Sequence, residues 1–373
     1  MALAISDGAQ VELTLNILLF LAQCIAVFVI ASTVFDFVHF LLHRWQRSRI
    51  PLLKMFSAWH QVHHDFLDRD MQVHPELSSR NLWAHLVPEF ITTLIVTAAL
   101  ALVFPLWPVV ANLVLHVLLF AIRVKEEGID INHMSMDRLD GRRHPFWVSP
   151  SYHAMHHVNP LGFYSSMFNI FDLLVGTSVA IRGKRIAVTG STGAFGGVMV
   201  AELERRGAKV IRVGRDLTLD PSEIDILVLA HGARGDRDVT WAANYDTFIT
   251  LGTAFIAACR ERLVPAEIWA VGSEAEIFGN DDYAISKRHF ARYASQNWRN
   301  SADVTYRHIV PSAFRSRMNW SPFGPKWAVR GALFWISRGF AYAPVTYTSL
   351  AFWNWFKYRA AADGEPALAR ESR

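Results

Sequence analysis

The sequence predicts two unlike halves: an all-α membrane half that is dense in histidine, then an α/β half built on a parallel sheet. Of the 16 histidines in the 373 residues, 13 lie before residue 158. Hydrophobic residues make up 52% of the chain, and three long apolar stretches fall within its first 124 residues. After residue 184, short β-branched runs alternate with helical stretches, as expected for βαβ units.

Charge and cysteine content exclude several classes of protein. The net charge is only +4, and no basic run is interleaved with aromatic residues, so we expect no nucleic-acid partner. The two cysteines, Cys24 and Cys259, lie in different halves. Their separation excludes a disulfide framework or a CxxC zinc site and is compatible with a reducing cytosolic face.

Three stretches are predicted to span a membrane. Residues 13–38 are nearly uncharged and long enough to cross a bilayer. They lack a basic leader and a small-residue cleavage site, which indicates an anchor and not a signal peptide. Residues 86–104 and 109–124 form a hairpin around a proline-rich turn at 105–108.

The distribution of basic residues predicts the orientation. Arginine and lysine follow the first and third spans, whereas the N-terminal tail has none. The positive-inside bias places the tail outside and residues 39–84 and 125 onward in the cytosol. We therefore expect a multi-pass membrane protein with both active sites on the cytosolic face.

The histidines of the first half form an HxxxH motif at 39–43 and two HxxHH motifs at 60–64 and 153–157. Residues three and four apart share a helix face, so each motif directs its imidazoles to one point. Neutral imidazole binds Fe, Zn, Cu or Ni, and eight nitrogens exceed what one ion holds, which indicates two metals. The alternative is solvated histidines on amphipathic helices.

Residues 30–178 resemble the fatty acid hydroxylase/sterol desaturase superfamily of membrane di-iron enzymes. The resemblance lies in Asp36-Phe37 leading into His43-Arg44, in WHQVHH at 59–64, in HPE at 74–76, in the Asn132-His133 region, in PSYHAMHH at 150–157 and in DLLVGT at 172–177. It implies two Fe ions and these ligands: His39, His43, His60, His63, His64, His133, His153, His156 and His157. The family often has a partner four residues before His133, where this chain has Ile129, so a tenth ligand is open.

Other polar residues of this half have less specific interpretations. His116 lies inside the third span, where it is predicted either to bind a metal ion or to form a hydrogen bond between helices. His74 belongs to a motif that the family shares, with a structural or a metal-binding role. Asp36 and Asp172 are predicted to orient a ligand imidazole N–H, or to cap helices. Two histidines are expected to be interfacial and solvated: His85 and His144.

An unactivated C–H bond of a lipid has no polar group on which a general acid or base could act. Two metal ions that bind O2 supply the needed oxidant, and the lipid enters from the bilayer. The expected partners are therefore a fatty acyl or sterol-like lipid, the membrane, O2 and an unidentified electron donor.

A glycine-rich turn, TGSTGAFG at 189–196, follows a strand and precedes a helix. This context predicts a dinucleotide site with the pyrophosphate at the helix N-terminus. After the next strand, Arg215 favours the 2′-phosphate of NADP, whereas Asp216 would hold a ribose hydroxyl of NAD. The predicted cofactor-binding residues are Gly190, Ser191, Gly193, Phe195, Gly196, Arg215, Asp216, His231 and Gly232.

Residues 183–315 resemble the short-chain dehydrogenase/reductase family, which implies a Rossmann-like fold. The resemblance lies in the glycine turn, Asn244, Ser273 and the Tyr283-Ala-Ile-Ser-Lys287 motif. It implies that Tyr283 is the general acid/base, that Lys287 lowers its pKa and binds the ribose, that Ser273 orients the carbonyl, and that Asn244 holds a relay water. Ser273 and Tyr283 are closer in sequence than is typical of the family.

Only eight residues separate Asp216 from Asp225, too few for the usual helix, strand and helix. The sheet is therefore predicted to have a trimmed edge on the adenine side. His289 and His308 are predicted to have no role in catalysis or in cofactor binding.

The predicted domains are 1–180, 181–316 and an aromatic C-terminal segment, 317–373. Residues 327–358 are predicted to lie at the membrane interface, or to pack on the soluble domain as a lid. The expected function is lipid hydroxylation or desaturation coupled to an alcohol–carbonyl reductase. The alternatives are a catalytically silent nucleotide-binding domain, or a non-enzymatic metal store or sensor.

Overall fold

The computed structural model describes residues 7–129, 132–135, 146–214, 219–301 and 303–360. The chain divides into two compact units, Met1–Thr177 and Ser178–Arg373.

The regular structure of the first unit, within its described residues, consists of helices and two isolated β-bridges, joined by turns and loops. Its helices are α1 (Asp7–Trp45), α2 (Pro51–Phe66), α3 (Ser78–Asn81), α4 (Val87–Ala99), α5 (Leu106–Lys125), α6 (Pro150–Val158) and α7 (Ile170–Val175). A π-helical turn, Leu82–Leu86, joins α3 to α4.

Within the described parts of the chain, three helical stretches are long and apolar enough to cross a membrane: Gln10–Trp45, Pro75–Leu102 and Leu106–Lys125. They contain or overlap the three predicted spans. Helix α1 packs against α4 and α5. Leu13, Leu18 and Ile25 are each more than half exposed, at 55%, 57% and 64%. Polar residues of α1 such as Asp36 and His39 are buried instead, the reverse of the pattern of a water-soluble helix.

Proline begins both short helices that carry the HxxHH motifs. Pro51 and Pro150 occupy the first turns of α2 and α6, where a missing N–H costs no helical hydrogen bond. The Ser149 side chain caps α6 by accepting a hydrogen bond from the backbone N–H of Tyr152 at 3.2 Å. These local signals fix where each motif helix begins.

The second unit contains a six-stranded parallel sheet. Its strands are β1 (Arg185–Thr189), β2 (Lys209–Val213), β3 (Ile226–Leu229), β4 (Ala266–Val271), β5 (Val304–Pro311) and β6 (Tyr342–Val345). The order is β2-β1-β3-β4-β5-β6. A Rossmann sheet runs 3-2-1-4-5-6, so this is the same arrangement with no strand outside β2 among the described residues. The trimmed edge was predicted correctly.

Helices cover both faces of the sheet. They are α8 (Ala194–Arg205), α9 (Arg237–Trp241), α10 (Thr247–Glu261), α11 (Ala275–Phe278), α12 (Asp282–Asn297), α13 (Pro325–Ser337) and α14 (Leu350–Ala360). Met199 of α8 and Leu333 of α13 belong to the core on one face. Phe255 of α10 and Phe290 of α12 belong to the core on the other.

Most of the segment predicted to lie at the membrane interface is part of this sheet unit. Helix α13 buries Val329 and Leu333 completely, and β6 pairs with β5. For these two elements the structure supports the second alternative, packing on the soluble domain, because their apolar side chains face the protein core. Helix α14 still exposes Trp353 and Phe356, at 69% and 59%.

Candidate metal centre and nucleotide site

Five buried histidines from three helices form the first nitrogen cluster. His39 and His43 come from α1, His60 and His64 from α2, and His156 from α6. The Nε2 atoms of His43 and His60 are 2.9 Å apart, and that of His64 lies 3.3 Å from both.

Four buried histidines form the second nitrogen cluster: His63, His133, His153 and His157. The Nε2 atom of His133 lies 3.1 Å from that of His63 and 3.0 Å from that of His153. Each HxxHH motif contributes to both clusters. The outer pair of the α2 motif joins the first cluster, whereas the outer pair of the α6 motif joins the second. The structure thus brings together all nine histidines that the family resemblance implied as ligands.

The spacing of the nitrogens fits bound metal ions. Histidine nitrogen binds first-row metals at about 2.0–2.1 Å, so ligands of one ion lie roughly 3.0–3.4 Å apart. The Nε2 separations of 2.9–3.3 Å match this range. Among the described residues, the buried Nε2 atoms of His39 and His156 have no hydrogen-bond partner. Both rings belong to the first cluster, and a cation held there would use these lone pairs.

Backbone carbonyls hold three of the rings from behind. In each of these rings, Nδ1 lies at hydrogen-bond distance from a backbone carbonyl oxygen. The distance is 2.9 Å between His39 and the carbonyl of Tyr164, 2.8 Å between His156 and that of Gly162, and 2.7 Å between His157 and that of Leu67. Because a carbonyl only accepts, Nδ1 carries the proton and the Nε2 lone pair faces the cluster. Burial lowers the pKa of His157 to about 3, so its neutral, metal-binding form prevails at physiological pH.

Asp172 holds the segment that supplies two of these carbonyls, residues 162–166, which we term the orienting loop. The backbone N–H groups of Tyr164 and Ser165 donate to Asp172 at 3.0 and 2.8 Å. The hydroxyl of Tyr152 donates to it at 2.8 Å, and that of Thr177 also donates. Four donors therefore converge on one buried carboxylate.

Asp36 holds the end of the same loop. It accepts hydrogen bonds from the backbone N–H and the hydroxyl of Ser166, at 2.9 and 2.6 Å. Among the described residues, no imidazole bonds to Asp36 or Asp172. The prediction that these carboxylates orient an imidazole directly is therefore wrong, because they act one step away, through the orienting loop.

His85 is a site residue that sequence reasoning missed. It lies on the π-helical turn, its side chain is only 8% exposed, and its ring stacks on that of His63 with centroids 3.9 Å apart. Its Nε2 is 3.4 Å from Glu89, which pairs with Arg123 at 2.8 Å. The prediction that His85 is solvated is wrong, because the π-helical turn packs against α2. Its spacing of four residues from Glu89 within an apolar stretch was the available signal.

The remaining histidines of this unit have other environments. His116 stacks on Phe28 inside the α1–α5 packing and belongs to neither nitrogen cluster. His74 bridges two carboxylates near the surface. Ile129, at the position of the family's further histidine, packs in an apolar cluster. His144 lies outside the described residues.

An apolar cavity of about 230 Å³ adjoins the first cluster. Its apolar lining includes Phe35, Leu42, Trp45, Phe56, Trp59 and Ala84. His60, His85 and Glu89 contribute the polar part. Such a lining suits an apolar chain brought close to a metal-binding histidine.

In the second unit, the glycine-rich turn connects β1 to α8. Gly190 has a φ of 62°, and a Cβ there would lie 2.7 Å from the Cα of His231. A Cβ on Gly196 would overlap the carbonyl oxygen of Gly190. Gly193 is the N-cap of α8, whose free N–H groups can receive a pyrophosphate.

Other predicted cofactor residues surround this turn. Ser191 donates to the carbonyl of Val213 at 3.2 Å, which ties the turn to β2. Phe195 is buried in the core beneath it. Arg215 and Asp216 lie outside the described residues, so the choice between NADP and NAD stays a prediction.

The turn after β3 approaches the same region. The Nδ1 of His231 lies 2.7 Å from the hydroxyl of Thr189, and burial lowers the pKa of His231 to about 3. A Cβ on Gly232 would lie 2.8 Å from Oδ1 of Asn244. Asn244 is fully buried on a π-helical turn, Ala242–Asp246, and donates to the carbonyl of Ala233 at 2.8 Å.

The shorter spacing of Ser273 and Tyr283 does not keep them apart. Burial raises the pKa of Tyr283, and a hydrogen bond with the Ser273 side chain opposes that rise. Lys287 is buried and donates to the carbonyl of Val271 at 2.9 Å. Burial lowers the pKa of Lys287 to about 8. The serine, tyrosine and lysine thus gather at the carboxyl end of β4, where doubly wound sheets bind ligands.

The fold and the two sites define a two-domain oxidoreductase: a helical unit with clustered histidines that could hold metal ions, and a Rossmann-type unit. Residues 24–177 match the model of the fatty acid hydroxylase family. The chain is also 26% identical to the monoglucosyldiacylglycerol epimerase of Synechocystis sp. (strain ATCC 27184 / PCC 6803 / Kazusa), over 85% of this chain and 89% of that protein. The chain is thus an enzyme whose N-terminal unit is a fatty acid hydroxylase domain.

Solved structures similar to this chain are short-chain dehydrogenases. The bulky-bulky ketone specific alcohol dehydrogenase from Comamonas testosteroni is 17% identical, covers 50% of this chain and 97% of its own, and has a TM-score of 0.40. A short chain dehydrogenase from Burkholderia cenocepacia J2315, in complex with NADP, is 18% identical with coverages of 49% and 97% and the same TM-score.

Proposed function

We propose that this enzyme hydroxylates or desaturates a lipid with O2 at two histidine-bound iron ions. Its Rossmann-type domain would then interconvert the resulting alcohol and carbonyl with NADP(H) or NAD(H). The observation that carries the proposal is the pair of nitrogen clusters, five and four histidines, beside an apolar cavity.

Each nitrogen cluster would hold one iron ion, and the pair would supply the O2 chemistry that an unactivated C–H bond requires. Hydroxylation also consumes two electrons and two protons, so a separate electron donor is part of the proposal. The residues of the chain would position the lipid substrate and the metal-binding rings. The apolar lining excludes water and brings an acyl or sterol-like chain to His60, and the orienting loop fixes the rings of His39 and His156.

In the second unit, hydride would pass from the nicotinamide to a carbonyl carbon while Tyr283 gives its proton to the carbonyl oxygen. Ser273 would hold that oxygen, and the Lys287 ammonium would stabilise the tyrosinate that forms. The reverse direction oxidises an alcohol with the same groups.

We further propose that both sites face the cytosol. Arg44 and Arg47 follow the apolar part of α1, and Arg123 and Lys125 end α5, so the basic residues flank the same side of the membrane helices. Attaching a membrane-impermeant reagent to single cysteines placed on either side would test this orientation.

A second candidate function is epimerisation of a hydroxyl on a glycolipid, which the similarity to monoglucosyldiacylglycerol epimerase favours because it spans both units. Hydride removal from a sugar carbon to NAD(P) and its return to the opposite face would invert that carbon without net oxidation. Tyr283 would take and return the hydroxyl proton. In this case the second unit, and not the metal centre, would perform the inversion.

Lipid analysis of a host expressing the native chain, His156→Ala or Tyr283→Phe separates these functions. If the proposal holds, His156→Ala abolishes O2-dependent lipid products, and Tyr283→Phe changes the ratio of alcohol to carbonyl. Inversion of a sugar carbon of a glucolipid that only Tyr283→Phe abolishes would support epimerisation. Products unchanged in Tyr283→Phe would indicate a silent nucleotide domain, and metal binding without any lipid product would indicate a metal store.

A further inference from the structure

A buried line of hydrogen bonds lies directly behind the Ser273–Tyr283 pair. The hydroxyl of Tyr306 is 2.8 Å from Nδ1 of His308, and Nε2 of His308 is 2.7 Å from Oε1 of Glu276. His308 is fully buried and the Glu276 side chain is only 5% exposed. One tautomer satisfies the line: Tyr306 donates to Nδ1, and the Nε2–H of His308 donates to the carboxylate.

The line ends on the catalytic serine. The second oxygen of Glu276 accepts the backbone N–H of Ser273 at 3.2 Å. Gly272 makes room for it, because a Cβ there would lie 2.5 Å from Oε2 of Glu276 and 2.7 Å from Cε1 of His308. The strand β5, which carries His308, pairs with β4 just before Ser273. The carboxylate is therefore held rigidly against the end of β4.

Three charged groups act on the Tyr283 hydroxyl. Glu276 of α11 and Asp281, the N-cap of α12, oppose loss of its proton, whereas Arg234 from the turn after β3 favours it. Lys287 lies one helical turn further along α12. Arg234 is already paired with Asp281 at 2.7 Å, so these two exposed charges offset each other. Glu276 thus remains as the buried carboxylate that acts on both Tyr283 and Lys287.

We propose that Glu276, fixed by His308, is a positioning residue that orients Ser273 and opposes loss of the Tyr283 proton. This rests on the proposed hydride transfer: hydride moves from NAD(P)H to the carbonyl carbon and the proton moves from Tyr283 to its oxygen. A protonated tyrosine is the form that reduction needs, whereas alcohol oxidation needs the tyrosinate.

The test follows the titration of Tyr283 by NMR in the full-length chain in detergent, labelled with 13C-tyrosine and with the resonance assigned from Tyr283→Phe. Glu276→Gln keeps the size of the side chain and removes its charge. We expect the titration midpoint of Tyr283 to fall by on the order of one pH unit. His308→Gln, which keeps the carboxylate but weakens its anchor, should give a smaller shift of the same sign. Because folding is read from the other tyrosine resonances, the second variant decides the outcome if the first misfolds.

Glu267→Gln is the matched control, since it removes a carboxylate from the opposite end of β4. An unchanged midpoint in Glu276→Gln, or an equal shift in Glu267→Gln, would overturn the inference. NADPH binding is measured in parallel by fluorescence titration. If the native chain bound neither NADPH nor NADH in such titrations, the proposed reductase function would be refuted, whereas the tyrosine titration would still report on Glu276.

Discussion

Replacing Asp172 with Asn should weaken metal binding although Asp172 touches no metal-binding ring. Its two oxygens accept hydrogen bonds from the backbone N–H groups of Tyr164 and Ser165 and from two hydroxyls, those of Tyr152 and Thr177. The hydroxyls can rotate to accept from an amide, but a backbone N–H cannot. Whichever way the Asn side chain turns, one backbone donor of the orienting loop loses its acceptor.

An unsatisfied buried donor costs about 1–3 kcal/mol. That cost falls on the loop whose carbonyls hold the Nδ1 atoms of His39 and His156. Loss of such outer partners typically lowers metal affinity by about 10–100-fold. We therefore expect Asp172→Asn to lose iron to a chelator of graded strength at correspondingly lower chelator concentrations.

The assay is the metal content of purified protein by plasma mass spectrometry after equilibration with the chelator. Asp65→Asn is the control, because Asp65 is exposed and its side chain accepts a 3.4 Å hydrogen bond from that of Gln61. If Asp172→Asn retained iron as well as Asp65→Asn does, the argument that the orienting loop sets the ring positions would be refuted.

The cavity, the glycine turn and the lysine each give a further prediction. Ala84→Phe should fill the apolar cavity and lower lipid turnover about tenfold or more, the effect of losing roughly 1.4 kcal/mol of chain binding; a parallel loss of iron would contradict this explanation. Gly196→Ala should weaken NADPH binding in calorimetry about tenfold or more, since overpacking costs about 1–3 kcal/mol; native-like affinity would disprove the close packing. Because the pKa of Lys287 is lowered to about 8, its stabilising charge disappears as pH rises through that value, and the reductase rate should fall above it. Lys287→Arg should move this fall to higher pH, and an identical pH profile would exclude Lys287 as its cause.

Local sequence determined which residues carry chemistry. The HxxxH and HxxHH spacings selected eight of the nine histidines of the two clusters, because a helix places residues three and four apart on one face, and the family resemblance supplied the ninth, His133. The glycine turn was recognisable from its strand before and its helix after. The trimmed sheet edge followed from counting, since eight residues between Asp216 and Asp225 cannot hold a helix, strand and helix.

Packing between elements that are distant in sequence determined which other residues these chemically important residues contact. Sequence spacing does not say that the two HxxHH motifs each divide between two clusters, because the division depends on how α1, α2 and α6 meet. His85 was predicted to be solvated because the sequence around it does not indicate that its π-helical turn packs on α2. Asp36 and Asp172 were expected at an imidazole, but the tertiary fold inserts the orienting loop between carboxylate and ring.

The aromatic C-terminal segment shows the same division. Its alternation of apolar and polar residues indicates a one-sided apolar surface, which a membrane and a sheet satisfy equally well. The tertiary structure resolves this for α13 and β6, whose side chains fill the core beside β5. The periodicity of apolar residues therefore determined which faces must be buried. Contacts between residues distant in sequence determined what those faces pack against.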